Sequence, residues 1–402
     1  MRFASCSLIL ISMLALAPLG CESDPMVGVD EAALTQPTRV IINDDGRFTA
    51  LEGSECLSYF PGGDKHSSGA WVAPSWVGDA TVIYNGFSHR YLSSDHHVRR
   101  VQGDITGVSF GADHVLRWTF NGTLDDNDLG DGGMELCYFY TVIGWDPADV
   151  QARSQVGFGG IDLDYDGATT WMGWRNVMSA QNQLPDCPFA ASEPVAVLPR
   201  GSTHQYRDGL GGMTDHHLFQ IAYSQTQDQN PGNCVTFSTS SVLRDKNADD
   251  DAFAAGRASL LGGLGVAIRA SDFVLTSRAP NYNQPFPTAT GAERVEHIVV
   301  QGLPYSYAIP MLTGWELYYK SGSTPQALSG DQHVTRMGAS IRNLRYDRVK
   351  GALEYDFFSV LGDQNMVPGH ESRRNVAILG LTRTPATVCC FELSPTVSTL
   401  AP

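Results

Sequence analysis

Three short landmarks recur in the same order three times along this 402-residue chain, and that recurrence limits its folds more than any other feature. The first is Gly-x-x-x-x-Tyr: Gly86 to Tyr91, Gly201 to Tyr206 and Gly314 to Tyr319. The second is an acidic and histidine-bearing corner: Asp95-His96-His97, Asp215-His216-His217 and Asp331-Gln332-His333. The third is Leu-x-Asp-x-Asp/Asn: Leu124/Asp126/Asp128, Leu243/Asp245/Asn247 and Leu361/Asp363/Asn365. Asp126 and Asp245 are 119 residues apart, and Asp245 and Asp363 are 118 apart. The chain reads as a triplicated module of about 118 residues.

Each copy is written in strand language. Val101-x-Gly103-x-Ile105, Ile221-x-Tyr223 and Met337-x-Ala339-x-Ile341 alternate at period two, which gives a strand one buried and one exposed face. Val115 to Phe120, Val235 to Phe237 and Leu353 to Phe358 follow as strands rich in aromatic and β-branched residues. Tyr138 to Gly144, Leu264 to Arg269 and Asn375 to Leu381 are expected to close the copies. Gly, Asp and Asn clusters punctuate the gaps, and no long amphipathic helix is legible. The expected fold is all-β: three tandem β-sandwich, jelly-roll-like modules, which three copies could close about a pseudo-threefold axis. Their expected bounds are 48–150, 151–275 and 276–385, with a tether over 21–47 and a tail over 386–402.

Residues 1–20 read as a signal peptide: Arg2 supplies a positive start and Leu8 to Ala17 a short apolar run. Leu19-Gly20-Cys21, followed by Glu22-Ser23-Asp24, resembles a bacterial lipoprotein signal. That resemblance implies cleavage before Cys21, a lipid on its thiol, and anchoring to a membrane face without a span. Pro18 departs from the usual pattern, so an ordinary secretory signal is the alternative. Either way the chain is expected to be exported to the cell envelope, and Glu22 after Cys21 favours an outer-membrane lipoprotein. Cys56, Cys137, Cys187, Cys234, Cys389 and Cys390 then remain for disulfides, with their pairing left open. No CxxC supports a zinc ribbon.

The net charge of −16 argues against nucleic acid, which needs a positive footprint to displace counterions. Familiar catalytic signatures, such as G-x-S-x-G, H-E-x-x-H and G-x-x-x-x-G-K-S/T, are missing, and three copies of one site suit avidity better than turnover. The strand rhythm Ile105-Thr-Gly-Val-Ser-Phe110, Val115 to Thr119 and Tyr138 to Gly144 is similar to that of H-type lectin modules. Arg342-Asn-Leu-Arg-Tyr346 and Val376 to Gly380 look alike in the third copy. The resemblance implies a small sugar-binding β-sandwich of the kind that assembles as trimers. The family's sugar contacts find no position-by-position match here, so no binding residue is carried over.

Candidate ligand-binding residues are therefore argued from chemistry: Asp95, His97, Asp215, His217, Asp331 and His333, plus Trp171 and Trp174. Successive residues of an extended chain face opposite ways, so His96 and His97 would not share one ion. His97, His217 and His333 occupy the position that is histidine in all three copies, and on a threefold axis they could converge on a metal. The plainer alternative is that the aspartates cap turns and the histidines satisfy buried backbone. Asp126, Asp128, Asp245, Asn247, Asp249, Asp162, Asp164 and Asp166 offer oxygens at the alternate spacing of calcium loops. Asp162-x-Asp164-x-Asp166-Gly167 resembles the opening of an EF-hand loop, but its twelfth residue is Gly173 instead of a bidentate Glu. Trp71, Trp76, Trp171, Trp174, Tyr305 and Tyr307 are either sugar-stacking rings or core. Expected partners are a cell-surface or extracellular glycan and, through the lipid, a membrane. The competing readings are a structural envelope lipoprotein and a polysaccharide hydrolase.

Overall fold

The computed structural model describes residues 39–383 apart from residues 45, 60–63, 93–96, 126–132, 151, 156–162, 166–179, 184–193, 208–217, 230–234, 246–250, 264–265, 277–292, 320–332 and 364–369. The chain enters through β1 (Arg39–Asp44), β2 (Phe48–Tyr59), β3 (Lys65–Val72), β4 (Asp79–Tyr91), β5 (Arg100–Phe110), β6 (Val115–Asp125) and β7 (Met134–Trp145). It continues through β8 (Arg153–Gln155), β9 (Leu163–Tyr165), β10 (Ala180–Gln183), β11 (Val195–Arg207), β12 (Leu218–Gln229), β13 (Val235–Asp245) and β14 (Asp251–Gly262). The last strands are β15 (Val266–Thr276), β16 (Arg294–Val300), β17 (Tyr307–Tyr319), β18 (Val334–Asp347), β19 (Ala352–Asp363) and β20 (His370–Leu381). The described elements are all β, as the alternating patterns require.

The strands form three sheets, and each draws on two distant stretches of chain. In the first sheet, β1-β2-β7-β4 from the N-terminal stretch continues as β18-β19-β16 from the C-terminal one. In the second, β3-β6-β5 continues as β11-β14-β8, with β9 also pairing with β14. In the third, β10-β13-β12 continues as β17-β20-β15. The N-terminal stretch thus gives β2-β7-β4 to one sheet and β3-β6-β5 to another, the two layers of a sandwich. Phe120 of β6 stacks on Tyr138 of β7 at 3.8 Å between ring centres, and Trp118 meets Tyr140 at 5.1 Å, filling the space between these layers. All four rings are buried, and each contributes about 2–3 kcal/mol by leaving water. Cys56 and Cys137 face each other across β2 and β7 and form a disulfide.

Two expectations change on sight of the strands. Residues 39–44, expected inside the tether, are strand β1, antiparallel to β2. The strand paired with β11, in the place that β7 takes beside β4, is β14, not Leu264 to Arg269. Those latter residues belong largely to β15, which pairs with β20 far along the chain. Trp71 and Tyr307 are buried, and Trp76 packs against the core, so these rings serve the interior.

The landmarks are explained by the seams where two stretches join within a sheet. At each seam the central strand carries a register shift beside the glycine of Gly-x-x-x-x-Tyr: at Tyr84/Gly86, Pro199/Gly201 and Leu312/Gly314. Gly86 and Gly201 adopt φ of 115° and 107°, a region closed to most side chains. A Cβ there would collide with the carbonyl oxygens of Ala339 and Gly103 on the adjoining strand. The bulged residues Asn85, Arg200 and Thr313 are buried. Asn85 donates to Thr141 Oγ1, Thr313 donates to the Asn375 carbonyl, and Arg200 reaches Thr81 Oγ1, Ser259 Oγ and the Val82 carbonyl. Burial pulls the Arg200 guanidinium down to about 9.

The landmark tyrosine closes the same unit. Tyr91 Oη donates to the Asp125 carbonyl at 3.2 Å, and Tyr319 Oη donates to the Gly362 carbonyl at 2.9 Å. The landmark leucines Leu124, Leu243 and Leu361 are buried. Tyr319→Phe should therefore cost about 1–2 kcal/mol, because it strands a buried carbonyl. Chemical denaturation checks this; an unchanged midpoint would show that the hydroxyl is not a staple.

Candidate functional site

The three glycine-bearing strands β4, β11 and β17 meet through their rings. Phe87 lies 5.0 Å from Trp315, His204 lies 5.6 Å from Trp315, and Phe87 lies 4.8 Å from His89. His89 donates Nε2–H to the Gln102 carbonyl at 2.9 Å. The Ser241 hydroxyl donates to the Ala222 carbonyl and sits 2.9 Å from His204 Nδ1, while Ser202 Oγ lies 3.2 Å from His204 Nε2. Burial disfavours the imidazolium, lowering His89 to about 4 and His204 to about 3. Both rings are neutral core groups at physiological pH.

The histidine corners lead into β5 and β18. His97 and His333 meet edge to face, with ring centres 4.6 Å apart, although they come from opposite ends of the chain. His333 is buried and His97 half-buried. The structure thus brings together two residues singled out by their shared position. Asp95, Asp215, Asp331 and His217 lie outside the described residues, as do Trp171 and Trp174. Of the calcium candidates, Asp245 ends β13 and Asp164 lies in β9. Asp126, Asp128, Asn247, Asp249, Asp162 and Asp166 fall outside the description, as does Cys21. Among the described residues, no group of three or more His, Cys, Asp or Glu side chains is arranged to hold a metal ion.

The seams also hold polar arrays that no sequence motif announces. In the second sheet Gly201 lies between Asp104 and Arg257, and its missing side chain lets Arg257 Nε reach Asp104 Oδ2 at 3.0 Å. Gln102 and Asn121 complete the cage on Asp104 at 2.9 and 2.6 Å. In the third sheet Arg373 lies 3.3 Å from Glu316, which also accepts from Gln220. In the first sheet the Arg342 guanidinium lies between Phe139, at 3.7 Å, and Phe358, at 4.1 Å. Arg342 donates to Glu293 at 2.9 Å, and both rings remain partly exposed. Beside it, Asp356 accepts from Asn343 Nδ2 at 2.7 Å and lies 2.7 Å from His297 Nδ1.

This last array combines two flat apolar faces with planar donors and acceptors in one open sheet face. A pyranose ring is recognised that way: its C–H face packs on an aromatic ring while its hydroxyls bond to amide, carboxylate and guanidinium groups. The carboxylates of all three seams are engaged by arginine or amide partners. None stands as an acid poised apart from a second carboxylate, as a glycosidase pair requires. No protein-family model, curated protein or solved structure matches this chain.

Proposed function

We propose that this chain is an exported surface protein, lipid-anchored through Cys21, that binds carbohydrate through three repeated β-sandwich modules. The observation that carries the reading is the first-sheet array: Phe139 and Phe358 flank Arg342, with Glu293, Asp356, Asn343 and His297 beside them. The lipoprotein-like start and the H-type lectin rhythm support an extracellular, sugar-facing role. Calcium at the Asp-x-Asp/Asn turns forms part of the same proposal, since exported proteins meet abundant calcium. One observation favours a structural envelope lipoprotein instead: the landmark Gly, Tyr and Leu residues are consumed by the fold itself.

The mature protein on a glycan array, with and without EDTA, separates these readings. Binding to a defined glycan class is expected, with Phe358→Ala weakening it about fivefold, since one aromatic stack is worth about 1 kcal/mol. No glycan retained in either condition would leave the structural reading, and release of reducing sugar would move the chain to the hydrolases. Binding lost in EDTA would place calcium in the site.

A further inference from the structure

We infer that the first sheet carries one open platform for an extended chain of neutral sugars, and that the other two seams carry no counterpart. The inference rests on the carbohydrate reading above and deepens it, from a sugar contact at Arg342 to the kind of glycan that fits there.

Strand register lays the platform out. Through the seam glycine of each sheet runs one row of directly opposed residues. In the first sheet the row is Val295, Phe358, Ser340, Gly86, Phe139 and Ser54, on β16, β19, β18, β4, β7 and β2. Val295 and Ser54 are exposed at its ends, Phe358 and Phe139 are half-buried, and Ser340 and Gly86 are buried at its centre. Arg342 bridges that small-residue centre. Its Nε donates to Ser340 Oγ at 2.9 Å, and its guanidinium lies between the Phe139 and Phe358 rings.

The charges along this platform are matched. Glu293 accepts from Arg342 Nη2, and Asp356 accepts from Asn343 and lies against His297. Arg342 Nη1 has no partner among the described residues, so it is the donor placed to meet a ligand hydroxyl. A platform with matched charge, on a chain of net charge −16, disfavours a polyanion and suits a neutral glycan. Length follows from spacing. Neighbouring strands lie about 4.8 Å apart, so the path from Val295 on β16 through β19, β18 and β4 to Phe139 on β7 spans roughly 19 Å. A pyranose advances by about one strand spacing in an extended chain, so about four units cover the row. A single terminal sugar would leave Val295 or Phe139 untouched.

The rows at the other seams have different chemistry. In the second sheet the row reads Arg257, Gly201, Asp104, Asn121 and His66. Arg257 and Asn121 both engage Asp104, and Asn121 also bonds to His66, so these side chains are tied to one another. In the third sheet Asn375, Gly314 and Ser224 stand in the row, and Asn375 Nδ2 lies 3.5 Å from Ser224 Oγ. None of these residues carries the broad apolar ring on which a sugar face packs.

The test uses the full mature protein and calorimetric titration with linear β-glucans, α-glucans, xylans and mannans, each as a ladder of chain lengths. Polygalacturonate serves as the anionic counterpart, and the corresponding monosaccharides as terminal sugars. In at least one ladder, affinity should climb with length to about four units and then level, with one chain bound per protein. Val295→Ser, at an exposed position, should weaken the four-unit chain about fourfold, the worth of about one buried methylene. The same variant should leave the disaccharide of that series unchanged. Sugar binding that does not depend on length overturns this inference while leaving the carbohydrate reading in place. So does more than one chain bound per protein, a preference for polygalacturonate, or undiminished four-unit affinity in Val295→Ser. No saccharide bound, here or on the glycan array, removes the carbohydrate reading and this inference with it.

Discussion

Lowering the pH from 7 to 4.5 should destabilise this protein by about 5 kcal/mol, through two histidines alone. His89 and His204 are buried, with folded values lowered to about 4 and about 3 against an unfolded value near 6.5. Well above pH 6.5 both are neutral in either state, and their titration contributes nothing to stability. As the pH falls below 6.5 the unfolded chain takes up protons that the fold refuses, so stability drops with the pH. The loss continues down to about 4 for His89 and about 3 for His204. At pH 4.5 each histidine costs the fold about 2–3 kcal/mol, a large fraction of the stability of an ordinary domain.

The third occurrence of the glycine landmark supplies the control. Three residues beyond the landmark glycine stand His89 and His204, but after Gly314 the same place is Leu317, fully buried. His89→Leu with His204→Leu should cost about 1 kcal/mol per lost hydrogen bond at pH 7. Between pH 6.5 and 4.5 it should flatten the decline. Guanidinium unfolding at a series of pH values reads both. If wild type and double variant lose stability in parallel, the pH response lies elsewhere, among the carboxylates.

This pair of histidines also shows what one-dimensional reading misses. A landmark filter asks for identity in all three copies, and Leu317 removes the position from consideration. Gly, Tyr and Leu pass the filter, but their reasons lie across the sheets. Gly201 is needed because Asp104, in another stretch of the chain, passes directly against it. The Ala- and Gly-rich strand β14 is weak by propensity, with Ala252, Ala254, Ala255, Gly256 and Ala258. At Gly256 the small residue is what the packing requires, since a side chain there would collide with the Tyr223 ring. Val266 to Arg269 alternate more convincingly, and so the neighbouring strand attracts the assignment. The Arg342 array is illegible for the same reason: Phe139 and Phe358 come together only when β4 joins β18. The period-two patterns and the aromatic and β-branched runs, by contrast, are local: the former carried β5 and β18, and the latter β6 and β19, directly into the structure.

The seam glycines give the other large expected effect. Gly201→Ala should destabilise the protein by at least about 3 kcal/mol, and Gly86→Ala by as much. A positive φ alone costs a residue with a Cβ about 1–2 kcal/mol. The greater part comes from backbone that has no room to yield. At Gly201 the new methyl would meet the Gly103 carbonyl oxygen and lie 2.6 Å from Asp104 Cα. At Gly86 it would meet the Ala339 carbonyl oxygen and lie 2.6 Å from Ser340 Cα. Relief requires β11 to part from β5, or β4 from β18, which breaks the ladder that joins distant stretches of chain. At Gly201 it also draws Arg257 away from the buried Asp104 carboxylate, leaving that charge without its ionic partner. Gly107 separates the two causes: its φ is 61°, but the nearest atom to a Cβ is Thr119 Oγ1 at 3.6 Å. Gly107→Ala should therefore cost only the conformational part, about 1–2 kcal/mol. Gly314 isolates the crowding, with the Tyr223 carbonyl oxygen at 3.0 Å and no positive φ, and its alanine variant should also fall below the two seam extremes. Denaturation midpoints of the four variants rank these costs. If Gly201→Ala and Gly107→Ala lost equal stability, the close approach of strands would not be what Gly201 provides, and its positive φ alone would account for the glycine there.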